Sequence, residues 1–102
     1  MPEVVTMVSA HIAPDKVADV IETFGAAVRA GMPERRHTSL YLGAGGLVRV
    51  VTVWRSRDDL ERYLSSVDGR RGFARALLED AGGTPVVDVL DLVLDSGTTW
   101  WP

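Results

Sequence analysis

The chain contains no cysteine, which excludes disulfides, thiolate nucleophiles and sulfur-ligated metal together. A reducing compartment, the cytoplasm, is therefore the expected location. Asparagine is missing too. Basic residues are not in excess: 11 Lys and Arg stand against 14 Asp and Glu, a formal net charge of −3. Nucleic-acid affinity leans heavily on surplus positive charge, so no nucleic-acid partner is expected. No apolar run is long enough to span a bilayer, so no membrane partner is expected either. The opening residues, MPEVVTMVSAHIAPDK, lack a basic segment followed by an apolar run and a cleavage site, and they read as a strand. Serine-triad, P-loop and dinucleotide patterns are also absent. The segment GAGG at 43–46 precedes a strand and not a helix, so it reads as a hairpin turn.

What is present is an ordinary globular composition, 46% apolar and 25% charged over 102 residues, which predicts a single domain spanning 1–102. Residues 4–12 are rich in β-branched and small residues and stop at Ala13-Pro14, predicting a strand. Pro14 and Asp15 suit the first turn of a helix. Val17, Val20, Ile21, Phe24 and Val28 then recur at helical spacing, and Gly31 and Pro33 end the helix. Two strand-like runs, RRHTSLYLG and LVRVVTVW, flank the glycine turn. Ser56 stands at an N-cap position with Asp59 three residues on, close to a capping box. Leu60, Tyr63, Leu64 and Val67 form that helix's apolar stripe. After a break at Asp68-Gly69, RRGFARALLEDA predicts a second helical piece with Phe73, Ala76 and Leu77 on one side. PVVDVLDLVL closes the pattern as a strand.

The order strand, helix, strand, strand, helix in two pieces, strand is the βαββαβ ferredoxin-like α+β arrangement, with a four-stranded antiparallel sheet. Helices cover one face of such a sheet, so the other face should be polar in a monomer. It is not. In the third strand Val48, Val50 and Thr52 share a face with Trp54, while Leu47, Val51 and Val53 share the opposite face with Arg49. Apolar rows on both faces predict a homodimer joined through the open sheet face.

His11 and His37 are the only imidazoles, and either could act as a base near neutral pH. His37 shares a strand face with Ser39 and Tyr41, a candidate polar patch. Asp88 and Asp91 interrupt the last strand at an odd separation, which sends them to opposite faces. Arg49 is the expected partner of whichever is buried. The arginine pairs Arg35-Arg36 and Arg70-Arg71 read as solvated surface. At least one of Trp100 and Trp101 is expected to dock.

These elements and the segment VWRSRDDLERY, read as W-x-S-x-x-x-L-x-x-Y, resemble the antibiotic-biosynthesis-monooxygenase group of dimeric α+β barrels. The resemblance runs from about Val4 to Leu94 and is specific at motif level from Trp54 to Tyr63. It implies a dimer with a ligand pocket in each subunit between sheet and helices. Trp54 matches the family tryptophan that borders this pocket. Tyr63 falls where many members carry histidine, and Ser9 falls where haem-degrading members place an asparagine. Two of the three haem-site positions are thus changed, and haem degradation is demoted.

The resulting expectation is a cofactor-independent monooxygenase acting with O₂ on a small aromatic, polyketide-type substrate, with no cofactor and no metal. Trp54 and His37 are the candidate catalytic residues, His37 as base. Ser9, Tyr63, Phe73 and Tyr41 are the candidate substrate-binding residues. A polyketide cyclase or isomerase of the same fold is one alternative; a non-catalytic small-molecule or haem-binding dimer is another.

Overall fold

The structure, a computed structural model, describes residues 3–32, 35–66 and 72–93. Four strands, β1 (Val4–His11), β2 (Arg35–Leu42), β3 (Leu47–Trp54) and β4 (Val86–Asp91), are joined by α1 (Pro14–Ala30), α2 (Arg57–Ser66) and α3 (Phe73–Asp80). The sheet is antiparallel in the order β2-β3-β1-β4. This is the ferredoxin-like α+β fold that the element order predicts. The break at Asp68-Gly69, Val67, the Arg70-Arg71 pair and the two C-terminal tryptophans lie outside the described residues.

The period-2 pattern assigns the faces. On β1, Val4, Thr6, Val8 and Ala10 are buried beneath the helices; on β3, Val48, Val50, Thr52 and Trp54 are buried on the same side. One core cluster joins Val8, Ala10, Ile12, Val20, Val48, Leu77 and Leu78, and a second joins Val4, Trp54 and Leu60. The α1 stripe is narrower than its periodicity suggests. Val20 is buried with Val17 and Phe24 packed beside it, but Ile21 and Val28 are 44% and 46% exposed. On α3 Leu77 is buried as expected, and Leu78, outside the predicted side, is buried deeper still.

The glycine turn forms the expected hairpin. Gly46, at φ +79°, is held against β1 by the bond from Ile12 N–H to its carbonyl at 2.9 Å, and a Cβ there would run into the Ile12 carbonyl oxygen. Only glycine fits both the backbone angle and that approach.

The open face carries Val5, Met7, Leu47, Val51, Val53 and Leu90, together with Arg49 and Asp88. The expected ion pair with Arg49 is not formed. Arg49 Nε donates to Ser9 Oγ at 2.8 Å, and Asp91 instead accepts from Arg57 at 2.6 Å. Neither aspartate is buried, so neither needs that partner, and the register keeps both away from Arg49. Asp88 stands opposite Met7 and Asp91 opposite Val4, so Asp91 is on the helix side, where Arg57 opens α2.

Candidate functional site

Trp54 ends β3, and two residues, Arg55 and Ser56, lead from it into α2. Ser56 accepts the Asp59 N–H at 3.1 Å, half of the predicted capping box. Asp59 does not reach back; its carboxylate accepts from Arg62 at 2.7 Å, because Asp is one methylene shorter than the usual Glu. The cap sets the direction of α2, and Leu60, Tyr63 and Leu64 thereby descend on Trp54. The Trp54 and Tyr63 rings lie 5.2 Å apart at 37°. Trp54 Nε1 donates to Thr6 Oγ1 at 2.9 Å, so the indole polar atom is satisfied although only 3% of the residue is exposed.

Tyr63 also ties in α3. Its hydroxyl accepts the Phe73 N–H at 2.7 Å. Gly72, at φ +74°, makes the turn that presents this N–H, with the Tyr63 ring passing beside its Cα.

Between these helices and the sheet lies a cavity of about 220 Å³. Val50, Trp54, Leu60 and Phe73 supply apolar walls, and Val87 and Val89 of β4 supply another. Its floor carries three threonines, Thr6, Thr52 and Thr38, from three adjacent strands. The charged lining residues are Arg35 and Arg75. The Arg35 guanidinium lies 4.3 Å from the Tyr63 ring centroid and 4.9 Å from that of Trp54, within cation–π range of both. Arg75 stands 3.6 Å from Glu79.

The sheet divides the predicted site residues between its two faces. Trp54, Tyr63 and Phe73 line the cavity. Ser9, His37 and Tyr41 do not: each has an open-face β3 residue as its partner, Arg49, Val53 and Arg49 respectively. His37 Nε2 is bonded to Ser39 Oγ at 2.8 Å, and Tyr41 is 57% exposed. The polar patch of His37, Ser39 and Tyr41 is therefore real as a face, but it is on the far side of the sheet from Trp54. The same register takes Ser9, the position tied by resemblance to haem binding, out of the cavity. Neither histidine lines it, and among the described residues no three His, Cys, Asp or Glu gather into a metal-binding group.

Arg35 is the residue that sequence reasoning misses. Strict alternation along β2 would put it on the face of His37 and Tyr41. A register shift between Arg35 and His37 makes Arg35 the partner of Trp54 and His37 the partner of Val53. The extra residue, Arg36, pairs with Glu3. A bulge of this kind turns the following side chains to the other face, and no sequence signal marks it.

A family model for antibiotic biosynthesis monooxygenases matches residues 3–75. The chain belongs to this family. Among solved structures of similar fold, SnoaB, a cofactor-independent oxygenase from Streptomyces nogalater, aligns with a TM-score of 0.67 at 18% identity, over 96% of this chain and 100% of that one. A candidate family member from Caulobacter crescentus aligns at 0.64 and 22% identity, over 91% and 92%. A protein of unknown function from Nitrosomonas europaea aligns at 0.69 and 12% identity, over 97% and 97%. These identities support the fold, shared across the family, and leave chemistry to the site. No curated protein matches the sequence. No helix of the described residues is long and apolar enough to cross a membrane.

Proposed function

We propose that the chain is a cofactor-independent oxygenase for a small, flat aromatic substrate, working as a homodimer. The observation that carries this reading is the makeup of the cavity: apolar walls, a hydroxyl-bearing floor, and arginine as the charged lining residue. An arginine cannot accept a proton at neutral pH, but it stabilises an anion. Such a site suits a substrate acidic enough to lose its proton to solvent, with the protein stabilising and orienting the resulting anion.

The chemistry then closes without a further redox partner. A ring-activated CH₂ loses a proton, and the carbanion gives one electron to O₂. Recombination of the radical pair forms a C–O bond, and the peroxide, once protonated, loses water. In sum, CH₂ and O₂ become C=O and H₂O. Arg35 stands where it can hold the developing enolate oxygen. Since an apolar cavity of about 150 Å³ takes benzene, about 220 Å³ suits a one- or two-ring body, with larger substituents at the mouth. Membership of the family and the fold shared with SnoaB support the assignment.

The dimer reading rests on the open face. Val86 and Leu90 on that side of β4 are 61% and 47% exposed, beside the apolar β1 and β3 rows. A second copy of the chain would cover them.

The deciding experiment supplies a two-ring, oxygen-substituted arene carrying an activated CH₂, the size the cavity takes, with ¹⁸O₂. Incorporation of one ¹⁸O atom per product, with the other in water, is expected. No oxygenated product, or a product that forms equally well without O₂, would sink the oxygenase assignment; the second outcome would favour a cyclase.

A further inference from the structure

The cavity floor holds more hydroxyl groups than the packing around Trp54 uses. Thr6, Thr52 and Thr38 stand in one row across β1, β3 and β2, each paired by register with the next. Thr6 and Thr52 are the buried polar residues of the described chain, and all three line the cavity. Valine would serve the strands equally well and would suit an apolar floor better.

Donor accounting shows what the row offers. Each hydroxyl carries one proton and two acceptor lone pairs. Thr6 accepts the Trp54 N–H, so its own proton is not used in that bond. Thr38 and Thr52 share one hydrogen bond at 3.0 Å, which takes one of their two protons. The row therefore has two donors beyond the bonds described for it, one from Thr6 and one from the Thr38-Thr52 pair, on the side of the sheet where the cavity lies. An unoccupied donor in an apolar site costs free energy unless something polar meets it.

We infer that the threonine row is the specificity element of the cavity, donating hydrogen bonds to an oxygen carried on the ligand ring, so that the ligand class is a hydroxy- or oxo-substituted arene. The Thr38-Thr52 pair is the donor that can be tested, because replacing Thr6 would also strand the Trp54 N–H. The ring is thereby anchored at its oxygen on the floor, with Phe73 and the β4 valines against its edges and faces. The row selects by the unmatched donors left when the oxygen is missing. This rests on the cavity being an arene site, the first half of the proposed function, and not on the oxygen chemistry.

The test is a binding ratio, measured on the intact protein by equilibrium dialysis with 1-naphthol and naphthalene, two probes that differ by a single oxygen. The wild-type protein should bind 1-naphthol about tenfold tighter. In the double variant T38V/T52V, which replaces both partners with apolar groups of the same shape and so should keep its fold, the ratio should fall to about twofold or less with naphthalene affinity unchanged. T38S/T52S should restore it, and T38V alone, which frees the Thr52 proton from the mutual bond, should keep most of it. Equal ratios in wild type and T38V/T52V, a parallel loss for both ligands, or no binding of either by the wild type would overturn the inference. An intact ratio without any ¹⁸O-labelled product would sink the oxygenase reading and leave this one standing.

Discussion

The Tyr63 hydroxyl accepts the Phe73 backbone N–H at 2.7 Å, joining α2 to the first turn of α3 on the rim of the cavity. Tyr63 thus has two duties: its ring closes on Trp54, and its oxygen fixes the entry of the next helix. Y63F keeps the ring and deletes the acceptor. A loss of about 1 kcal/mol is expected, a drop of roughly 4–8 °C in melting temperature for a domain of this size. Calorimetry checks it; an unchanged melting temperature would show that the bond contributes nothing.

Removing one hydroxyl and removing a pair have opposite consequences in the threonine row. T6V leaves the buried Trp54 N–H without its acceptor and should cost about 1–3 kcal/mol. T38V/T52V strands no partner and should change stability by less than about 0.5 kcal/mol. Urea unfolding of the two variants side by side measures the contrast. Equal losses would contradict the hydrogen-bond assignment.

Arg35 lies over both aromatic rings, and its charge is what the proposed anion needs. R35M should lower kcat at least tenfold with a smaller change in KM, since the anion develops after binding. R35K should recover part of kcat, keeping the charge but losing the planar stack. A variant that changed KM alone would assign Arg35 to substrate capture. Trp54 is a poorer probe of turnover: it is 3% exposed, and truncating a buried tryptophan to alanine costs about 3–5 kcal/mol in fold alone.

Val51 sits mid-strand on the open face, between Met7 of β1 and Ser39 of β2. A charge there is harmless in a monomer and costly in a face-to-face dimer. V51D should shift the protein from dimer to monomer in sedimentation equilibrium. A monomeric wild type would end the dimer reading.

Leu78 is fully buried in the main core, whereas Ile21, on the predicted α1 stripe, is 44% exposed. L78A should cost about 2–5 kcal/mol, and I21A well under half of that. Chemical unfolding distinguishes the two positions, which helical periodicity alone would not rank so far apart.

The elements were legible because their causes are local. Alternation of Val48, Val50, Thr52 and Trp54 against Leu47, Arg49, Val51 and Val53 places a face on each residue of β3 without reference to any other strand. Pro14, Ser56 and the glycine turn mark ends by their own backbone and hydrogen-bonding chemistry. From these follow the ferredoxin-like order, the second apolar sheet face, and Trp54 and Tyr63 converging at the strand-to-helix joint.

What only the tertiary structure decided is which side chains share a space. Alternation says that Ser9, His37 and Tyr41 have faces but not that those faces turn away from Trp54, since facing depends on how β1 and β2 register against β3. One bulged residue, Arg36, reverses Arg35 and brings a cation onto two aromatic rings. The threonine row exists only because β1 lies beside β3, 46 residues away in register from Thr6 to Thr52. Pairing between distant strands is set by the packing of the whole sheet under its helices, a global free-energy balance that no short segment carries.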